Sequence, residues 1–268
     1  MNIFFIGDVF GNLGKRILAE RLPSFIKEHS IDVCVANGEN VAGGKGLTHN
    51  LVGKLRKFGV NVITGGNHSF ANPDGHDDLA NDPFVLRPHN FPPGNVGKGV
   101  ALYTLADGRT LGVVNLQGRV FFGETLDCPF RVGEAAVSQI GGRTKTVLVD
   151  FHAEATSEKK ALAAHLDGTV SAVVGTHTHV QTADEGISAA GTAYLTDAGM
   201  TGAQDSIIGM KKEQVIRKFI LQTPARFEPS DDGPALCGAV IETDDATGKA
   251  VSISRVFERV RFSHESDG

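Results

Sequence analysis

Cysteine is scarce in this chain. Three residues in 268, Cys34, Cys128 and Cys237, form an odd number at wide spacing with no Cys-x-x-Cys pair, which excludes a disulfide framework and fits a reducing compartment. Long apolar runs are missing too. No stretch approaches the roughly 18 consecutive apolar residues of a membrane span. The apolar opening Met1 to Phe5 has no basic leader and stops at Gly7-Asp8, so it reads as a buried first strand and not as a signal peptide. The expectation is a cytoplasmic protein with no membrane partner. Nor is there any block of Lys or Arg. With 26 basic against 31 acidic residues and a formal net charge of −5, stable binding to nucleic acid through its phosphates is not expected. A small phosphate-bearing substrate would then need a local positive charge, such as a metal.

What is present is an ordinary soluble composition, 41% hydrophobic and 21% charged, enough to bury a full core. Glycine is the outlier at 33 residues, many of them just after apolar runs, which points to loops shaped for function. Ile3 to Ile6 reads as a strand, and Lys15 to Lys27 as a helix bent at Pro23. The same order recurs with a strand at Val33 to Ala36, a Gly-rich loop to Gly46, a helix to Phe58 with Thr48 as N-cap, and a strand at Val60 to Thr64. Gly99 to Leu105 and Thr110 to Leu116 form a predicted hairpin across Asp107-Gly108. Then come a strand at Thr146 to Asp150, a helix at Ser157 to Leu166 and a strand at Ala172 to Val174. Two final strands, Ala235 to Glu242 and Ala250 to Val260, flank a turn at Asp244 to Gly248. The pattern predicts an α/β fold of mixed sheets with helices outside.

In such folds ligands collect at the carboxyl ends of the strands. Five of those ends carry Gly7-Asp8, Gly38-Glu39-Asn40, Gly66-Asn67-His68, Phe151-His152 and Gly175-Thr176-His177-Thr178-His179. Singly, an Asp after a strand is more often a turn residue, and a lone His more often a satisfied polar group. Five repetitions argue for one shared site. In an extended segment His177 and His179 point to the same side. Three histidines, two acids and two amides exceed one tetrahedral zinc but suit two octahedral ions, with a carboxylate as bridge. With no thiolate in these loops, the donors suit Fe, Mn or Zn. Two such ions acidify a bridging water for attack on a phosphate ester, and His68 is placed as general acid for the leaving alkoxide, unless it only orients a neighbour.

These residues resemble the Gly-Asn-His and Gly-His-x-His blocks of calcineurin-like metallophosphoesterases. More narrowly, the chain is similar to the YmdB-type bacterial branch through IGDVFG at 6–11, NGENVAGGKGLT at 37–48, GGNHSF at 65–70, RPHNFP at 87–92, NLQGR at 115–119, DFHAEATSEK at 150–159, VVGTHTHVQTAD at 173–184 and AYLTDAGMTG at 193–202. The resemblance implies a four-layer αββα sandwich as a single domain over 1–268, a dinuclear centre that is usually iron, and phosphodiesterase activity on 2′,3′-cyclic nucleotides. It also implies a division of ligands. Asp8, Glu39, Asn40 and His179 would hold one ion, and Glu39, Asn67, His152 and His177 the other, with His68 as proton donor. The loop after Asp8 lacks the usual superfamily histidine, and Glu39 stands where Asp is usual; both are features of the narrower branch. Ser69, Phe70 and Asn72 replace a more typical Thr-Trp-Asp, which leaves open whether Asp74 supplies the carboxylate that orients His68.

Around this centre Gly43-Gly44-Lys45-Gly46 could approach a phosphate with backbone N–H groups, or could simply be a mobile loop. Arg87, Asn90 and Arg119 are candidates for substrate contact, with a structural ion pair the alternative for each arginine. Phe91, Phe121 and Phe122 are expected in the core rather than stacked on a base. Two rivals stand beside the phosphodiesterase reading: a phosphomonoesterase with the same centre, and a nucleotide-sensing regulator with slow turnover. Assembly into a homo-oligomer is expected on general grounds.

Overall fold

The apolar opening becomes β1 (Asn2–Ile6). Its alternate residues face two different cores, Phe4 and Ile6 one and Ile3 and Phe5 the other, and all four are fully buried. An uninterrupted apolar run is what a strand covered on both faces requires. β1 runs parallel to β3 (Val33–Asn37), which runs parallel to β4 (Val62–Thr64). The short β2 (Asp8–Val9) follows β1 directly. On its other side β1 pairs antiparallel with β12 (Pro234–Thr243), which also pairs with β11 (Met200–Ala203) and with β13 (Ala250–Arg259). The computed structural model describes residues 1–262.

A second sheet has the order β5 (Val100–Thr104), β6 (Thr110–Gln117), β7 (Thr146–His152), β8 (Ala172–Thr176), β10 (Ala193–Leu195) and β9 (Gly186–Ile187). The two sheets share an inner core in which Ile3, Phe5, Val35 and Val62 meet Leu111, Val113, Leu148 and Val174. Helices α1 (Gly11–Glu28), α2 (His49–Phe58) and α3 (His76–Asn81) cover the outside of the first sheet, with Ile17, Leu22, Phe25, Leu55 and Leu79 buried. Each such side chain contributes roughly 1.5–3 kcal/mol by leaving water. Helices α4 (Pro129–Ile140) and α5 (Thr156–His165) cover the second sheet through Val137, Ile140 and Leu162. The result is the expected four-layer αββα sandwich.

Thr48 caps α2 as expected, its hydroxyl accepting from the Leu51 N–H, and Gly59 ends that helix with φ 113°. Such a cap contributes about 1 kcal/mol. Helix α1 begins at Gly11, ahead of the expected Lys15, and continues past Pro23 to Glu28. The chain between β11 and β12 holds α6 (Lys212–Leu221), on which only Val215 is buried. No helix among the described residues is long and apolar enough to cross a membrane.

Candidate metal centre

The carboxyl ends of the strands deliver the candidate residues. Asp8 opens β2, Glu39 and Asn40 follow β3, and Asn67 and His68 follow β4. His152 is the last residue of β7, and His177 and His179 follow β8. Asp8, Glu39, Asn40 and His152 are buried. All seven candidate ligands come together in two groups that share Glu39. In one, Nε2 of His152 lies 3.1 Å from Glu39 Oε1, 3.0 Å from Asn67 Oδ1 and 3.1 Å from His177 Nδ1. In the other, Asn40 Nδ2 lies 3.4 Å from Asp8 Oδ1 and 3.1 Å from His179 Nε2, with Asp8 Oδ1 to His179 Nε2 at 3.7 Å. Asn40 Nδ2 also donates to Glu39 Oε1 at 3.2 Å, which joins the groups.

Whether these donors fit metal ions can be decided from the far side of each imidazole. His179 Nδ1 lies 3.0 Å from the Ile208 carbonyl oxygen, which only accepts, so that nitrogen carries the proton. His177 Nε2 lies 3.1 Å from the Glu154 carboxylate. His152 Nδ1 lies 2.9 Å from Thr176 Oγ1, whose own proton goes to Asp150 Oδ1 at 2.7 Å, so the hydroxyl accepts from the ring. All three rings therefore turn their remaining nitrogens inward, onto each other and onto the carboxylates of Asp8 and Glu39. Around Asp8 and His179 the Asn40 NH₂ stands between the lone pairs, whereas around His152 a proton or a metal ion would relieve them, and anchoring of the outer nitrogen is the usual support of metal-binding histidines. Glu39, His152 and His177 each place one ligand atom within 4.8 Å of the others. The donor set fits.

The electrostatics agree. Burial alone would raise the carboxyls of Asp8 and Glu39, but the facing imidazoles, His179 for Asp8 and His152 with His68 for Glu39, outweigh it and hold both low. Burial works to lower His152, yet the Glu39 charge wins and pushes its pKa up to about 9. Burial and the charge of His152 push His177 down to about 4. A proton on His152 thus occupies the place where a metal would compete for the same electrons. Below it, burial lifts Asp150 to about 6 against hydrogen bonds from Thr64 and Thr176.

The other sequence candidates separate. Nδ1 of His68 lies 3.0 Å from Asn40 Oδ1. Asp74 is exposed, its backbone N–H engaged by Asn72, so it does not orient that ring. Arg87 is buried and gives its guanidinium to the carbonyls of Pro88, His89, Val96 and Asn95, neither a substrate contact nor an ion pair. Asn90 is likewise spent on the backbone of Gln117 and Asp127. Arg119 is exposed, in a loop whose backbone N–H groups at 119 and 120 are held by Glu158. The N–H groups of Gly44 and Gly46 donate to Asn40 and Glu39 carbonyls, so that turn holds the site residues and does not offer those donors to a phosphate. Phe91 is half-buried, its ring edge-on to that of Phe70, and lies outside the buried core clusters among the described residues. Phe121, however, is 83% exposed, and the Phe122 ring lies 4.8 Å from that of His177, at the rim of the centre.

Sequence reasoning missed Glu154, although it stands two residues after His152, and the Thr176–Asp150 relay. The alternation Val-Asp-Phe-His at the end of β7 held a signal for Asp150, a charged residue on the same face as His152.

A model of the YmdB-like protein family matches residues 4–256. A Bacillus subtilis protein named 2′,3′-cyclic-nucleotide 2′-phosphodiesterase is 46% identical over 256 residues, covering 96% of each chain. A putative phosphatase/phosphodiesterase of Mycoplasma genitalium is 35% identical, over 96% of this chain and 92% of the relative. Among solved structures, a hypothetical protein from Thermus thermophilus superposes with TM-score 0.90 at 39% identity, over 97% of this chain and 100% of its own. A Mycoplasma pneumoniae protein described as a novel phosphatase gives TM-score 0.89 at 34% identity, over 97% and 94%. The fold, the site and these relatives define a phosphoric ester hydrolase. The chain belongs to the YmdB-like protein family.

Proposed function

We propose that this protein is a dinuclear metal-dependent phosphodiesterase acting on small nucleotide phosphoesters, foremost 2′,3′-cyclic nucleotides, as one cytoplasmic catalytic domain. The observation that carries the reading is the convergence of seven nitrogen and oxygen donors in two groups sharing Glu39. Asp8, Asn40 and His179 with Glu39 would hold one ion, and Asn67, His152 and His177 with Glu39 the other. Iron suits this donor set, as do Mn and Zn. When bound, such a pair brings the pKa of a water toward neutrality and neutralises charge on non-bridging phosphate oxygens. His68, fixed at Nδ1 and with 30% of its side chain exposed, presents Nε2 to the leaving oxygen as proton donor. For Asn40 to serve as an oxygen ligand its amide would turn about the broad, two-fold terminal torsion, exchanging the Oδ1 that now faces His68 Nδ1 for the NH₂, which would donate to Nδ1 and leave the ring proton on Nε2. Phe122 at the rim, and the exposed Arg119 three residues before it in the same loop, would meet the rest of the substrate.

The test is elemental analysis of protein purified without chelator, paired with hydrolysis of 2′,3′-cyclic AMP before and after chelation. Two metals per chain with chelator-sensitive turnover support the reading. Two metals without turnover favour a nucleotide sensor instead. Relatives named for both phosphatase and phosphodiesterase activity keep a monoesterase as the second reading. A clear preference for nitrophenyl phosphate over its bis-ester would establish it. Ile216, Phe219, Ile220 and Leu221 stand exposed on α6, and homo-oligomerisation would cover such side chains; light scattering measures it.

A further inference from the structure

The His177-Thr178-His179 segment is held in an uncommon conformation. His177 has φ 101° and His179 φ 64°, a region that residues with side chains rarely adopt and that persists only where the surroundings impose it. Between them, Thr178 gives both its backbone N–H, at 3.1 Å, and its hydroxyl, at 2.8 Å, to Oδ2 of Asp197. The other oxygen of Asp197 accepts from the Gly199 N–H at 2.8 Å, and the Gly199 carbonyl accepts from the Asp8 N–H at 3.0 Å. One carboxylate therefore ties the two histidines to the strand that carries Asp8.

The charge of Asp197 is balanced from below the site. Lys159 Nζ lies 2.7 Å from Oδ2, with both side chains 1% exposed. Lys159 reaches there from the middle of α5 past Gly175, where an added Cβ would stand 2.9 Å from the lysine Cδ. Both Asp197 oxygens are committed to Thr178, Gly199 and Lys159, and the pair is sealed from solvent, so neither group is available to a substrate.

We propose that Asp197, with Lys159 as its counter-ion, is a positioning residue for the metal centre: it grips Thr178 and so sets the directions of His177 and His179. The inference rests on the two-metal reading of the site. A carboxylate suits this task where an amide does not. Asn at 197 would replace one acceptor oxygen by an NH₂ group, and a donor would then face the N–H of Thr178 or of Gly199.

The test compares wild-type protein with Asp197→Asn and Thr178→Val, the second keeping side-chain volume and the backbone bond to Asp197 while removing the hydroxyl's bond to Asp197 and its long 3.4 Å contact with the Val180 N–H. Mn²⁺ is the probe. Calorimetry gives affinity and stoichiometry, electron paramagnetic resonance reports the exchange-coupled ion pair, and thermal denaturation of metal-free protein reports the fold. Asp197→Asn should lose about tenfold to a hundredfold in Mn²⁺ affinity and show isolated-ion signal in place of the coupled one. Thr178→Val should move the same way by less, with unchanged melting of the metal-free protein. Wild-type affinity and coupling in Thr178→Val and in any folded Asp197→Asn would overturn the proposal, even if melting temperatures fell. If Asp197→Asn does not fold, Thr178→Val decides alone. Failure of the wild type to bind two Mn²⁺ ions would instead refute the two-metal reading beneath it.

Discussion

Nδ1 of His68 lies 3.0 Å from Oδ1 of Asn40 and 3.3 Å from Oε1 of Glu39. The ring is thereby oriented from the loop after β3, with no help from Asp74, and Nε2 has no partner among the described residues. On the proposed reading, a group held in that way acts on the substrate without holding a metal. His68→Ala should lower kcat by roughly a hundredfold or more while elemental analysis finds unchanged metal. Metal loss equal to that of a ligand variant would make His68 a ligand and sink the assignment.

Glu154 meets the outer nitrogen of His177 and none of its inward donors, so it and the histidine should separate in experiment. His177→Ala removes an inward donor and is expected to lower metal occupancy outright. Glu154→Ala leaves the donor but frees its ring, which should weaken metal binding by about tenfold to a hundredfold. Titration with Mn²⁺ followed by calorimetry distinguishes a lost site from a weakened one. Equal, wild-type affinity in Glu154→Ala would mean that the ring is held by packing against Phe122.

The convergence of the seven candidate residues was legible in the sequence because each of the strands that carry them is a short apolar run that empties into a polar residue, and that contrast needs no tertiary information. The supports of the centre were not. The Ile208 carbonyl, Asp197 and Lys159 come from segments far from the residues they hold, and no local spacing connects them. Arg87 and Asn90 were misread for the related reason that polar residues near a site also serve to satisfy buried carbonyls. In the fold, β1 and β3 were visible as short apolar runs and the final hairpin through alternation. β9, β10 and β11 have two, three and four residues, too few for alternation to register, and their pairing is set by neighbouring strands.

The three cysteines test the packing independently of activity. Burial pushes the thiols of Cys34 and Cys237 up to about 12, so near pH 8 both stay protonated and enclosed. Cys128, partly exposed ahead of α4, is lowered, chiefly by the Arg131 backbone N–H. The thiolate is the reactive form. A disulfide exchange reagent at pH 8 should therefore titrate one thiol rapidly in the folded protein and all three in denaturant. Rapid reaction of two or more in the native state would contradict the buried positions of Cys34 and Cys237.

Gly66 and Gly53 make opposite predictions for the same substitution. A Cβ on Gly66 would overlap Cδ2 and Nε2 of His152 and Oε2 of Glu39, two donors that approach each other across the glycine. Gly66→Ala must push one of them away, so metal binding should fail while circular dichroism and the outer cores remain native. Gly53 lies inside α2, and a Cβ there meets nothing. Gly53→Ala should leave metal content alone and stabilise the protein by about 0.5–1 kcal/mol, because glycine loses more backbone freedom in a helix than alanine does. Urea denaturation and elemental analysis of the two variants separate space at the centre from flexibility of the chain. Retention of full metal content in Gly66→Ala would mean that His152 and Glu39 do not close on a common ion.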